Sequence, residues 1–324
     1  MTHCMRIHET GGPEVLRWEA VTLPSPAPGE VRVRHTAIGV NFIETYLRRG
    51  LYSMPVPSGL GSEAAGVVEE VGQGVEGLAV GDRVAYATGP VGAYCEARIM
   101  PASVLLKLPP EIDDNTAAAI MLKGLTCWYL LRRTRPAQAG ETILLHAAAG
   151  GVGLLFCQWA RSMDVTVIGT VGSDEKAELA RQHGCAYTIN YRRENVAARV
   201  REITDGAGVP VVYDSVGKDT FNASLDCLAT RGLLVLFGMS SGPVPPLDLR
   251  HLAEKGSLYL TRPTLRHYVA RREDLEEGAR ELFSKIMEGV LHTRIDRTYP
   301  LREAGEAHRA LESRATAGQV LLIP

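Results

Sequence analysis

From residue 141 to about residue 260 the chain repeats one pattern: a short apolar run, a turn, then apolar residues spaced three and four apart. The runs ETILLH, VTVIGTV, AYTIN, VPVVYDSV, LLVLFG and SLYL read as six strands. The intervening VGLLFCQWARSM, DEKAELARQHG, NVAARVREIT and TFNASLDCLAT read as helices. Strands without a polar face need cover on both sides, so this alternation predicts a parallel, doubly wound α/β sheet. In the first helix Val152, Leu155, Phe156, Trp159 and Met163 share a face, which predicts packing against the sheet rather than a ligand site.

The texture differs on either side. Residues 1 to about 120 carry β-prone runs among glycine and proline, including VRVRHTAIGV at 31–40, GVVEEVG at 66–72 and DRVAYA at 82–87, so a β-rich unit is expected there. Beyond residue 262 follow a helix near 273–288, a strand near 294–299, a helix near 301–313 and a last strand QVLLI, enough to complete that first unit. The expected division is 1–122, 123–262 and 263–324, with the last segment returning to the first domain.

Composition narrows the setting. With 45% hydrophobic and 22% charged positions in 324 residues, the chain suits a soluble protein of about two domains. A net charge of −2 argues against broad attraction to nucleic acid or anionic lipid, and local clusters such as Arg192, Arg193, Arg199 and Arg201 read as solvated helix faces. No run of about 18 apolar residues is present and the first residues lack a signal-peptide pattern, so a cytoplasmic protein without membrane spans is expected. Six scattered cysteines without a C-x-x-C pair suggest reduced, buried thiols rather than a disulfide framework or structural zinc.

The segment LLHAAAGGVG at 144–153 carries the chemistry. A strand runs into Ala148-x-Gly150-Gly151-Val152-Gly153 and directly into an amphipathic helix, a variant of G-x-G-x-x-G with Ala148 replacing the first glycine. Gly150 and Gly151 are expected to make a tight turn close to a pyrophosphate, Gly153 to permit close helix packing, and the helix N-terminus to offer donors and positive potential. An NAD site would place a carboxylate after the second strand, but Gly172-Ser173 stands there, followed by Asp174, Glu175 and Lys176. Lys176 and Tyr191 suit a 2′-phosphate by charge and hydroxyl, which favours NADPH. Asp174 reads as a first-turn acid behind an N-capping Ser173.

Several further segments resemble the zinc-independent quinone oxidoreductases of the medium-chain dehydrogenase/reductase superfamily, across essentially the whole chain. They are GGPEVL at 11–16, AIGVNFIETYLRRGLY at 37–52, GLGSEAAGVV at 59–68, GAYCEAR at 92–98, LKGLT at 122–126, VYDSVG at 212–217, GSLYLTRP at 256–263 and ESRATAGQVLLIP at the end. The resemblance implies a GroES-like catalytic domain built from both ends of the chain, a Rossmann domain between them, a cleft where nicotinamide meets substrate, and a homodimer. It aligns Asn41 and Ser62 with the cysteine and histidine that hold catalytic zinc in related alcohol dehydrogenases, and an amide with a hydroxyl is a poor zinc pair, so no metal is expected. Glu63 remains as an acidic neighbour.

Reduction of a quinone or conjugated carbonyl needs hydride from the nicotinamide and stabilised charge on the acceptor oxygen. By resemblance the candidate donors are Asn41, Tyr46, Tyr52 and Arg262, with half-buried aromatics and a loop anchor as the plainer readings of the last three. The resemblance also places Asn41, Phe42, Thr126, Ser215, Gly238, Met239, Ser240, Leu265 and Arg314 along the dinucleotide, with Arg314 near its adenosine phosphate. His146 ends an apolar strand and reads as structural, and Ser240-Ser241 lacks the context of a hydrolase nucleophile. Reduction of enals, enones or enoyl thioesters stays open as an alternative, as does an RNA-binding or crystallin-like structural role.

Overall fold

In the computed structural model, which describes every residue except Arg314, the chain divides into two units, Met1–Leu125 with Val269–Pro324 and Thr126–Tyr268. The second unit is the Rossmann sheet. Its strands are Thr142–Leu145, Thr166–Val171, Tyr187–Asn190, Val209–Asp214, Leu228–Leu236 and Tyr259–Thr261. Across the sheet they run third, second, first, fourth, fifth, sixth, every pair parallel. Helices Gly151–Ser162, Asp174–Gln182, Val196–Ile203 and Phe221–Cys227 follow the first four strands.

Leu144, Ile168, Ile189, Val212 and Leu234 form the centre of one core, against Val200, Phe221 and Leu225 from the helices. Each such side chain contributes about 1.5–3 kcal/mol by leaving water. The helix Gly151–Ser162 buries Leu154, Leu155, Phe156, Cys157, Trp159 and Ala160, a wider contact than the single face read from the spacing. The run TFNASLDCLAT is helical only to Cys227. Leu228 already belongs to the fifth strand, whose register shifts between Val209 and Val211 of its neighbour.

The first unit is the GroES-like part. One sheet runs Ile295–Pro300, Gln319–Ile323, Glu30–Val40, Glu63–Val71, Arg83–Tyr86 and Leu106–Lys107, with Ala97–Pro101 also on Glu30–Val40. A second joins Arg17–Val21, Thr2–Ile7 and Ser58–Gly59. Val31, Val33, Ile38, Val68 and Val84 pack with Leu301, Ala304, Val320 and Leu322, so residues from both ends of the chain share one core.

Four α-helices escape the pattern of apolar positions, two of them, Arg250–Glu254 and Leu265–Tyr268, only five and four residues long. Asp114–Trp128 is covered from Ala117 onward on almost every side, and a helix buried all round has no polar stripe to reveal its period. Phe42–Arg48 is seven residues long, too short for a period.

Candidate functional site

The glycine turn begins where the strand Thr142–Leu145 ends. The left-handed position is Ala147, with φ 57°, whereas Gly150 has φ −79° and ψ 173°, ordinary extended backbone. Gly150 N–H closes the turn on the Ala147 carbonyl at 2.9 Å, and the left-handed conformation within it falls to an alanine. Gly153 is the glycine the packing requires. A Cβ there would lie 2.4 Å from the Ala147 carbonyl oxygen and 2.5 Å from that of Ala148. Ala148, replacing the first glycine of the pattern, is accommodated by Gly169 of the next strand, where a Cβ would come within 2.5 Å of the Ala148 methyl.

A buried relay holds Ala147 in place. The Ala147 N–H donates to Thr170 Oγ1 at 3.3 Å, and Thr170 lies 2.9 Å from His146 Nδ1. His146 Nε2 is 3.0 Å from Ser224 Oγ, which donates to Asp214 at 2.8 Å. Because the Ser224 proton goes to Asp214, Nε2 carries the imidazole proton and Nδ1 accepts from Thr170. Burial depresses the His146 pKa, although the charge of Asp214 opposes this. Asp214 holds the serine and not the histidine, so these residues do not make a nucleophile triad. Asp214 also accepts from Val216 N and Gly217 N, which fixes the loop that starts at Ser215. A Cβ at Gly238 would lie 2.4 Å from the Ser215 carbonyl oxygen, and Ser240 N donates to that oxygen at 3.2 Å. Met239 meets the same loop, its Cα 3.0 Å from a Cβ built at Gly217.

The N-cap Gly150 offers the helix Gly151–Ser162 no side-chain cap and its first turn, which includes Val152, holds no acid, whereas Ser173 and Asn195 cap the two helices that follow. A helix N-terminus that opens on glycines and carries no acid suits an anionic group. Beside it, Gly172 makes room for Tyr191: a Cβ at 172 would lie 2.5 Å from the Tyr191 hydroxyl. Ser173 Oγ accepts from Lys176 N at 3.3 Å. Asp174 is engaged by Arg193 and by Asn190 Nδ2.

Arg192 and Arg193 occupy the turn after the third strand, and Arg201 donates to the carbonyls of Gly206, Asp226 and Leu228. The reading of these arginines as solvated helix faces is thus corrected, since only Arg199, paired with Glu194 and Glu202, has that character. Arg193 pairs with Asp174 at the start of the helix after the second strand, a partner that the sequence argument passed over. Thr126 is buried, Leu265 opens the short helix Leu265–Tyr268, and Arg262 donates to the Leu236 carbonyl at 2.8 Å. Arg314 lies outside the described residues.

The first unit gathers Asn41, Phe42, Tyr46 and Tyr52. The rings of Phe42 and Tyr46 lie 6.3 Å apart, and those of Tyr46 and Tyr52 meet edge to face at 5.9 Å. Asn41 precedes the helix Phe42–Arg48 and its N–H donates to Glu44 at 2.7 Å, so Glu44 folds back over the helix start. The Asn41 amide donates to Glu63 Oε1 at 2.9 Å, and the same carboxylate receives Lys123 Nζ at 2.8 Å and Leu122 N at 2.6 Å.

Glu63 and Glu44 are fully buried. Burial pushes Glu44 up to about 7, opposed by a hydrogen bond from Ser62 and reinforced by Glu63. Lys123 went unnoticed in the sequence, although a lysine inside the apolar run AAAIMLKGLTCWYLL signals a buried carboxylate partner. Among the described residues no group of three or more histidines, cysteines, aspartates and glutamates is placed to hold a metal ion.

With this geometry in hand, two family models match the chain: the alcohol dehydrogenase GroES-like domain over residues 27–110 and the zinc-binding dehydrogenase model over 151–285. A quinone oxidoreductase of Pseudomonas aeruginosa is 57% identical, with 97% of each chain covered. The crystal structure of Escherichia coli quinone oxidoreductase complexed with NADPH superposes with a TM-score of 0.98 at 50% identity, covering 99% of this chain and 100% of that one. A 2-haloacrylate reductase from Burkholderia is 48% identical, with 98% of each covered. Two units of the matching kinds, the glycine turn and near-complete coverage by these relatives make one assignment: the chain belongs to the quinone oxidoreductase family of the medium-chain dehydrogenase/reductase superfamily.

Proposed function

We propose that this protein reduces quinones with NADPH, without a metal ion. The observation that carries the reading is the turn at Ala147–Gly153, where close-packed backbone leads into a helix whose N-cap is a glycine and whose first turn holds no acid, an arrangement that suits a pyrophosphate. The second unit fits the dinucleotide as a whole. Gly150, Gly151, Val152 and Gly153 would hold the pyrophosphate, and Ser173, Lys176 and Tyr191 the 2′-phosphate, with Gly172 leaving room for the Tyr191 hydroxyl. The pairing of Asp174 with Arg193 supports NADPH over NADH, because that carboxylate is partly neutralised. Thr126, Ser215, Gly238, Met239, Ser240 and Leu265 complete the surface offered to the cofactor, with Arg314 assigned there by resemblance alone.

NADPH supplies the hydride. The chain's part is to place the acceptor, exclude water and stabilise negative charge on the acceptor oxygen. Tyr46 and Tyr52 are the hydroxyl donors, held edge to face. Asn41 has an amide whose orientation is dictated by Glu63, because a carboxylate only accepts. Arg262 is tied to the Leu236 carbonyl and serves first as an anchor. Reduction of a conjugated carbonyl is the second reading, favoured by the 48% identical 2-haloacrylate reductase.

A homodimer is part of the proposal. The edge strand Tyr259–Thr261 pairs with one neighbour among the described residues and leaves Tyr259 and Leu260 exposed, a strand edge that a second copy can extend. So is a reducing, cytoplasmic setting, supported by six free cysteines, five of them buried; no helix among the described residues is long and apolar enough to cross a membrane. The test is oxidation of NADPH and NADH by purified protein against ortho-quinones, para-quinones, enones and enoyl thioesters, with and without a chelator. Chelator-resistant, NADPH-selective quinone reduction is expected. Enone selectivity would replace the first reading by the second, and NADPH binding without turnover on any acceptor would refute both.

A further inference from the structure

Four of the six cysteines, far apart in sequence, form two close pairs in space. Cys157 and Cys185 are neighbours inside the second unit, both buried. Cys4 and Cys95, in the first unit, are different in one respect: Cys4, on the strand Thr2–Ile7, is only half-buried while Cys95 is enclosed.

The backbone around Cys4 and Cys95 defines their relation closely. Met5 N donates to Tyr94 O at 2.7 Å and Glu96 N to His3 O at 2.9 Å, and the two cysteines form an antiparallel bridge between those bonds. They are therefore a non-hydrogen-bonded pair, the position where facing Cα atoms stand about 4.5 Å apart and side chains are nearest. A disulfide accepts Cα separations of roughly 4.4–6.8 Å, so the bond can form with little movement of the backbone.

The surroundings divide the roles. The neighbouring Cys95 thiol and then the charges of Arg6 and Arg98 hold Cys4 below the usual thiol range, against the opposing effects of burial and Glu96. Cys95 is shifted well upward by its neighbour Cys4 and by burial. Its Sγ lies 3.2 Å from the Gly92 carbonyl oxygen, and its own carbonyl accepts His35 Nδ1–H at 2.7 Å. His35 is neutral because burial pushes it down to about 4, and it takes its other bond from the Tyr86 hydroxyl at 2.9 Å. The segment around Cys95 is thus fixed, and Cys4 is the reachable nucleophile.

We propose that Cys4 and Cys95 form a thiol–disulfide exchange site, at which a low-molecular-weight disulfide converts the pair to an intramolecular disulfide. The Cys4 thiolate attacks one sulfur of the small disulfide, whose S–S bond breaks, and a small thiolate leaves. Cys95 then loses its proton and its sulfur attacks Cys4 Sγ, displacing the second small thiolate. Two protein thiols are oxidised and one small disulfide is reduced to two thiols, with no other oxidant. The pair Cys157–Cys185 is not given this role, because neither sulfur is open to the first attack.

The test is incubation of the full-length protein with oxidised glutathione under anaerobic conditions, followed by acid quench, alkylation and peptide mass mapping. The expected result is a cross-linked peptide joining Cys4 to Cys95, reversed by excess reduced glutathione. Cys95→Ser should stop at a stable glutathione adduct on Cys4, and Cys4→Ser should lose the cross-link and leave Cys95 unmodified. Circular dichroism of each variant checks folding, and the wild-type map decides the matter even if a variant fails to fold. A lasting adduct on Cys4 of the wild type, cross-linking at Cys157–Cys185 instead, or no reaction at either pair would each overturn the proposal.

Discussion

The glycine turn of the second unit and the buried polar cluster of the first solve opposite problems. At Gly153 packing depends on a side chain being absent, and the proposed binding surface is the backbone of the turn. Around Asn41 packing depends on side chains that neutralise one another: Glu63 is shared by Lys123, the Asn41 amide and the Leu122 N–H. The turn tolerates no added atom. The cluster tolerates no lost partner, because an unpaired charge in a dry interior costs far more than the pair contributes.

The largest expected effect is on the cluster. Lys123→Met leaves the Glu63 carboxylate buried and uncompensated, and should cost about 3–5 kcal/mol in chemical denaturation. The double variant Glu63→Met/Lys123→Met should recover most of that loss. If it does not, the cluster acts through more than charge balance.

On the other side of the comparison, Gly153→Ala should cost about 1–3 kcal/mol by forcing the helix off the turn. NADPH affinity, read by fluorescence titration, should fall with it. An unchanged affinity would show that the turn does not hold the pyrophosphate.

Lys176→Ala comes next. Removing one charge-assisted contact should reduce the preference for NADPH over NADH about tenfold, or about 1.4 kcal/mol, with no change in melting temperature. An unchanged preference would pass the role to Tyr191 and Arg193.

The smallest effect at neutral pH is that of Glu44→Gln. The carboxyl of Glu44 is raised from 4.5 to about 7 in the folded chain, so its contribution to stability is complete below about 4.5 and lost as pH rises through about 7. Variant and wild type should therefore melt alike near pH 5, and the variant should be the more stable at pH 9. His308 runs the other way. Burial, and then the neighbouring charge of Arg48, depress its pKa to about 3, so its contribution is complete above about 6.5 and declines as pH falls toward 3, equally in both proteins.

What could be read in the sequence follows the same division. The Rossmann sheet, with its alternating strands and helices and its glycine turn, was legible because buried parallel strands leave a local mark in the chain. The mechanics of the turn were not, since nothing in AAAGGVG says that Ala147 rather than Gly150 takes the left-handed conformation. The cluster was half legible. Asn41 and Glu63 were singled out, but Lys123 is 60 residues from its partner, and a contact across that distance leaves no periodicity. The helix Asp114–Trp128 that carries Lys123 was missed for the related reason that it has no polar face.

The strand Gln319–Ile323 stands between Ile295–Pro300 and Glu30–Val40 in the sheet of the first unit. During synthesis that sheet keeps a missing strand until residue 323 has emerged from the ribosome, while residues 126–268 are already complete. Vectorial synthesis therefore inverts the order of the sequence. The middle of the chain is the first part able to reach its native form, and the strand Glu30–Val40 waits, with Ile38, Gly39 and Val40 lacking their partner, for Gln319–Ile323.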